Sequence, residues 1–362
     1  MNAIHRHGRN DDGVALLLSL LFIVLLTVLV VEYAYETQVD TSLVAANLLD
    51  YQAQVAAKSA IAMGVSVLTA DAMALQSAGE PGVSQAPQIG SGTADDPTVG
   101  GATFDSLDEM WGYGIPFQSI NKAIMQCSID DEYGKINLNA LLDSRTQEPN
   151  ETLENALRFL FEARGAEEDP TDAILDWIDS DDETRPNGAE TDYYQSLLTP
   201  YPCKNAPLSS VEELMLIRGV TPALYFGDID LEQLPLSEVL TVHGHRNGRV
   251  NINTAEAETL TAMGDSLSIP GLAELVIEER QRSPFSSNAE LQQRGIMPAQ
   301  PSTPGGESGA RAARPFTVSS SSYRLYGNGI CGDSRVRIEA FLTRDPSAGV
   351  DGIRITEWKE LR

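Results

Sequence analysis

The chain has 362 residues, enough for one long helix plus one large or two modest domains. Asp and Glu number 52 against 25 Lys and Arg, a formal net charge of −27. Such a field repels nucleic acid and anionic lipid, and it favours cations.

The first element is an apolar run. Val14 to Val31 gives 18 residues without a charge, which as a helix spans about 27 Å, close to the ~30 Å of a bilayer core. Beyond Glu32, Val39, Leu43, Ala46, Leu49, Ala53 and Ala56 recur at helical spacing. No proline interrupts Val14 to Ala78. The pattern predicts one helix over 14–76, with 14–31 spanning a membrane and the second half packed on a soluble body. A secretory signal peptide would have a shorter apolar core and a small-x-small cleavage site, whereas a plain membrane anchor fits by length. The junction Gly13-Val14-Ala15-Leu16-Leu17-Leu18 also resembles a prepilin-type signal, with 1–13 as the polar leader. Asp11 and Asp12 depart from that pattern, where basic residues are commoner.

From 77 to 101 the composition turns to Gly, Ser, Pro and Ala, which reads as a flexible linker. In 102–150, Ala123 to Ile129 alternates as a strand, 130–134 reads as a turn, and Lys135 to Asn139 reads as its hairpin partner. The stretch 151–297 reads as a compact helical domain. Leu153, Ala156, Leu157, Leu160 and Phe161 make one apolar face, and Ile174, Leu175, Trp177 and Ile178 another. Ser210 with Glu213 has the spacing of a capping box, and Thr254 is placed to start a further helix. A second linker is expected over 298–315. In 316–362, Phe316 to Tyr326 and Arg335 to Arg344 read as strands around a Gly327-Asn328-Gly329 turn, with an edge strand at Ile353 to Trp358. Strands on both sides of a helical block belong to one sheet, so the fold is α+β with the block inserted.

Two constellations could carry chemistry. Between Asp176 and Asp192 seven carboxylates fall within seventeen residues, bent by Pro186 and Gly188. Like charges this close need water or a cation between them, and a bent loop of carboxylates and carbonyls suits Ca²⁺. The loop is not an EF-hand, because Thr184 stands where that loop needs Gly. A solvated acidic loop, or the paired carboxylates of a hydrolase, are the other readings. The second constellation is Val250-Asn251-Ile252-Asn253-Thr254-Ala255 with Ile269-Pro270-Gly271-Leu272-Ala273. It resembles a helix-hairpin-helix module, yet Ala273 replaces the second Gly, and Glu274, Glu278, Glu279 and Glu290 surround it. A packing unit is the simpler reading, and a membrane-anchored DNA receptor the alternative. No Gly-x-Ser-x-Gly, His-Glu-x-x-His, phosphate-binding Gly loop or Cys/His pair occurs, so no enzyme is expected. Cys127, Cys203 and Cys331 allow one disulfide and one free thiol without choosing the pair. His243-Gly244-His245 reads as a loop feature.

In order along the chain, five motifs together resemble the K minor pseudopilins of type II secretion systems, the GspK family. They are Gly13/Val14 with the long helix, Asp131-x-x-Gly134-x-x-Asn137-Leu138-Asn139, Asp176-Trp177-Ile178-Asp179, Pro207-Leu208-x-Ser210-x-x-Glu213-Leu214, and Val250 to Ala255. The resemblance implies an inner-membrane protein with a periplasmic body, cut by prepilin peptidase between Gly13 and Val14 and N-methylated at Val14. It implies a pilin-like α/β fold with a helical insertion, capping the pseudopilus with the I and J minor pseudopilins. Leu18 stands at the mature position where most pilin-like subunits carry Glu, which suits a subunit with nothing above it. It also implies calcium, one or two ions, at the acidic loop, carried here to Asp179, Asp181, Asp182, Glu183, Glu190 and Asp192. No nucleic-acid partner is implied.

Overall fold

The computed structural model describes residues 11–78, 104–228, 231, 233–297, 315–345 and 352–361. Most of the leader and nearly all of the two expected linkers lie outside the described residues. The chain runs α1 (Asp11–Ala78), β1 (Ile115–Ile120), β2 (Ala123–Asp131), β3 (Ile136–Asn137), α2 (Glu151–Ala163), α3 (Thr171–Ile178), α4 (Thr191–Gln195), α5 (Pro222–Phe226) and α6 (Leu236–Val239). It continues through β4 (Leu240–Thr241), β5 (Val250–Asn251), α7 (Ala257–Ser266), α8 (Leu272–Arg282), α9 (Asn288–Gln293), β6 (Phe316–Thr317), β7 (Ser322–Cys331), β8 (Ser334–Arg344) and β9 (Ile353–Leu361).

Helix α1 is 68 residues long. It is the one helix among the described residues long and apolar enough to cross a membrane. Its apolar half stands exposed on every side. Ser19 and Thr27 donate their hydroxyls to Leu16 O at 2.8 Å and Val24 O at 2.7 Å, so neither would meet lipid unpaired. Further along, one face buries Ala53, Ala56, Ala57, Ala60, Ile61 and Leu68 against a five-stranded antiparallel sheet of order β1-β2-β7-β8-β9.

The predicted Gly327–Gly329 turn is instead the middle of β7. The glycines serve contact rather than turning: a Cβ on Gly327 would lie 2.5 Å from Ala57 O, and one on Gly329 1.9 Å from Ala53 O. Small residues on both partners let the helix backbone lie on the strand. The turn between β7 and β8 falls at Gly332, with φ +58. Nor do 135–139 return as a hairpin. Asp131 accepts the Tyr133 N–H at 2.8 Å and opens a 3-10 turn over Glu132–Gly134, and β3 then pairs in parallel with β4. Strand β2 pairs with β1, which lacks a strong sequence alternation, and with β7.

The helical block has its own core, centred on Leu157, Phe161, Ile174, Tyr194, Leu260 and Phe285. The asparagine motifs join it to the sheet. Asp131 Oδ2 accepts from Asn251 Nδ2 at 3.0 Å, Thr254 Oγ1 at 2.6 Å and Ser320 Oγ at 2.6 Å. Thr254 is thus a tether, and α7 begins at Ala257 with Glu256 as its cap. Asn139 exchanges two bonds with Leu208, at 2.9 and 2.8 Å, and Asn253 two with Phe285, at 2.9 and 2.8 Å. The expected capping box does not form. Val211–Leu216 is a 3-10 turn without a side-chain cap, because the Glu213 carboxylate instead takes Lys204 Nζ and Ser209 N, each at 2.8 Å.

The register of α1 on β7 fixes where the block sits. Leu49 meets Gly332, Ala53 meets Gly329, Gly64 meets Leu325, and Asp71 pairs with Arg344 at 2.5 Å. The chain leaves the sheet after Asp131 and re-enters β7 beside it, Asp131 opposite Tyr323. That is the Asp71 end. The helical block therefore lies at the pole opposite the apolar half of α1.

Candidate metal centre

Helix α3 is buried along all eight residues, and Asp176 in its last turn is fully buried. Asp179 is its C-cap, one turn beyond, so both carboxylates share a face. The loop after them folds back on the helix. Arg185 Nη1 bridges Asp176 Oδ1 at 2.6 Å and Asp179 Oδ2 at 2.5 Å, and Arg185 N donates to Asp176 Oδ2 at 3.2 Å. Gly188 is required, because a Cβ there would lie 1.9 Å from Asp176 Oδ2. The loop ends at Glu190, the cap residue of α4, also buried. Ligand atoms of Asp176, Asp179 and Glu190 all lie within 4.8 Å of one another.

Arg185 neutralises only part of this cluster. Asp179 Oδ1 and both Glu190 oxygens are buried without a hydrogen-bond partner, and so is Asn205 Oδ1. Asn205 reaches the loop from the far side, donating its amide to Asp181 O at 2.8 Å and Asp182 Oδ1 at 3.0 Å. Four buried oxygen acceptors without a protein partner, beside an excess of negative charge, fit a hard cation. Burial, reinforced by Asp176 and Asp179, pushes the Glu190 carboxyl up to about 7. Burial also raises Asp179, against the pull of Arg185. The Cys203 thiol packs beside Glu190 and donates to Asp176 O at 3.6 Å. Burial pushes that thiol up to about 12, so it offers no thiolate. An all-oxygen donor set favours calcium or magnesium over zinc or copper.

Of the six residues carried over from the resemblance, the fold brings Asp179 and Glu190 together. Asp181, Asp182, Glu183 and Asp192 are exposed. Asp181 closes its own turn by accepting Glu183 N at 2.9 Å. Asp176, its oxygens taken by Arg185, lies in the cluster with Asp179 and Glu190, and Asn205 adds a buried unpaired oxygen on the far side of the loop; neither was among the six. The i, i+3 spacing of Asp176 and Asp179 was a usable signal, whereas nothing marks Asn205, fifteen residues past Glu190. Cys127, Cys203 and Cys331 are each buried and free.

The α7–α8 hairpin is a packing unit. Gly264 lies against Leu272, where a Cβ would meet Leu272 Cβ at 2.7 Å, and Ala273 and Val276 are buried. Its cations are committed. Arg280 donates to Ala255 O at 2.7 Å, and Arg282 pairs with Glu278 at 2.5 Å and with Glu279.

Two family models, both described as type II secretion system protein K, match residues 134–226, which hold the acidic loop, and 250–307, which hold the hairpin. Over these two stretches the chain is similar to the type II secretion system protein K family. Proteins of that name are 31% identical over 157 residues in Pectobacterium carotovorum (42% of this chain, 45% of that one). In Pseudomonas aeruginosa the match is 27% over 194 residues, 52% of this chain and 54% of the relative. The matched stretches thus span about half the length of these relatives. A chain in the crystal structure of the GspK-GspI-GspJ complex from enterotoxigenic Escherichia coli shares the fold, with TM-score 0.58 and 16% identity, covering 84% of this chain and 94% of that one.

Proposed function

We propose that this chain is a minor pseudopilin that caps the tip of the type II secretion pseudopilus, assists initiation of its assembly and so serves protein export across the outer membrane. It acts by assembly rather than catalysis, in complex with the I and J minor pseudopilins and beneath them the other pseudopilins. Residues 14–31 hold it in the bacterial inner membrane with its body in the periplasm. Prepilin peptidase cuts between Gly13 and Val14 and methylates Val14. The observation that carries this reading is polar placement: the helical block stands at the end of the sheet away from the apolar half of α1. A subunit so built offers a helix to neighbours below and bulk to anything above. The GspK-GspI-GspJ complex of the structural neighbour supports the choice of partners. Gold-labelled antibody against the helical block should mark one end of isolated pseudopili. Labels spaced along the filament would overturn the capping role.

Calcium would be held by Asp179, Glu190 and Asn205, with Asp176 and Arg185 setting the position of Asp179. When bound it supplies charge neutralisation, tying α3, the acidic loop, α4 and the Asn205 segment into one unit.

A further inference from the structure

We propose that a groove between the sheet and the helical block binds an extended acidic segment of a partner polypeptide. The groove has a volume of about 1940 Å³, above the roughly 300–1,000 Å³ of small-ligand pockets. Its walls are the loop 142–150, the loop 242–249, and residues of β9. Arg145, Arg246, Arg249 and Arg354 all line it. Three of these are exposed and Arg249 is half-buried. Among the described residues none of the four makes an ion pair or a side-chain hydrogen bond.

Lys58, Lys122 and Arg335 are likewise without an ion pair among the described residues, but they do not line the groove. Elsewhere Arg158, Arg164, Arg185, Arg324 and Arg344 are all held by carboxylates. The groove wall also holds four acids, each with a partner of its own. Asp143 accepts Arg145 N at 2.8 Å and Thr146 N at 3.0 Å, Glu148 accepts Thr146 Oγ1 at 3.4 Å, Glu357 faces His243 at 3.7 Å, and Asp345 has a partner. The groove thus gathers four arginines without a carboxylate partner among the described residues, on a molecule of net charge −27, and the carboxylates of an acidic ligand can pair with them.

Two features favour a polypeptide over a nucleic acid. Strand β9 ends the sheet, and its outer edge pairs with no described strand. An edge beside the arginines offers backbone groups to an extended chain. Tyr133 is the only Phe, Tyr or Trp among the described lining residues, so there is no platform for stacked bases, and the surrounding field repels a long phosphate polymer.

The test is fluorescence anisotropy with the full chain in detergent micelles and a fluorescein-labelled deca-glutamate peptide. Binding should appear at low salt, weaken about tenfold or more at high salt, and weaken comparably in Arg246→Glu/Arg354→Glu. Arg282→Glu, outside the groove, should bind as wild type. An uncharged Ser/Gly peptide should not bind. Thermal melting checks that the double variant is folded, and Arg145→Ala/Arg246→Ala, which alters only exposed side chains, is the second variant if it is not. Absence of low-salt binding, or equal binding by both groove variants, would overturn the proposal. So would displacement of the peptide by duplex DNA at equal charge concentration in preference to unlabelled deca-glutamate.

Discussion

Glu190→Gln should reverse the order of stability with and without calcium. Glu190 is 3% exposed and neither of its oxygens has a hydrogen-bond partner in the protein. An unsatisfied buried polar group costs on the order of 1–3 kcal/mol, more when charged. Gln has the same shape, no charge, and an amide that can donate to the orphaned Asp179 Oδ1 nearby. In chelator the variant should therefore melt at or above wild type. With calcium the balance changes. Asp176, Asp179 and Glu190 against Arg185 leave a formal −2, which one divalent cation cancels; the variant leaves −1 and loses a carboxylate that would serve as a ligand. A ligand at one hundred times its dissociation constant stabilises by ~2.7 kcal/mol, and sites of the extracellular type have constants of about 10⁻⁴–10⁻³ M. Calcium at about 10 mM should then raise the wild-type melting temperature by about 5–10 °C, taking ~2–4 °C per kcal/mol for a domain of this size. The variant should gain little. Differential scanning calorimetry of the full chain in detergent, with chelator and with calcium, reads both comparisons. Equal calcium shifts in the two proteins would refute the ligand role. An equal deficit of the variant in both conditions would reduce Glu190 to a packing residue.

Other outcomes follow from the same contacts. Gly329→Ala should push α1 off β7, because the new Cβ would lie 1.9 Å from Ala53 O. Overpacking of this kind costs about 1–3 kcal/mol or more, and urea unfolding that moves by less than about 0.5 kcal/mol would contradict the close approach. Glu109 lies among Asp71, Asp105 and Arg344, accepting Ser106 N at 3.1 Å and Trp111 Nε1 at 2.8 Å. Burial, reinforced by Asp71, pushes it from 4.5 up to about 8. A raised carboxyl gives stability that is fully present below pH 4.5 and lost as pH rises through about 8. Glu109→Gln should flatten that loss, by at most about 5 kcal/mol, read as melting temperature against pH; an unchanged slope would remove Glu109 as its source. Intact mass and N-terminal sequencing of protein from cells with prepilin peptidase should find methylated Val14, whereas a Met1 start would leave a plain membrane anchor.

Much of the architecture was legible because it depends on composition along the chain. An unbroken apolar run followed by a one-faced pattern dictates α1, and the alternation in 123–129 and 335–344 dictates β2 and β8. The errors share a cause. Gly327 and Gly329 look like turn residues until Ala53 and Ala57 lie against them. Thr254 and Ser210 have the chemistry of helix caps, but Thr254 is claimed by Asp131, and Glu213, the intended partner of Ser210, by Lys204. Local propensity loses wherever a distant group makes the stronger bond. The acidic loop divided in the same way. Seven neighbouring carboxylates suggested a cation site, yet of the six carried over as ligands only Asp179 and Glu190 are buried.

The sequence by itself determined that this protein carries a helix able to cross a bilayer, a sheet split by a helical insertion, and an acidic loop, since each follows from the periodicity and charge of contiguous residues. The tertiary structure alone decided which oxygens are left without partners, because that depends on Arg185, Gly188 and Asn205 folding onto Asp176 and Asp179 from different directions. It alone set the helical block at the pole away from the apolar helix, since that follows from the register of α1 on β7, a contact between segments more than 250 residues apart.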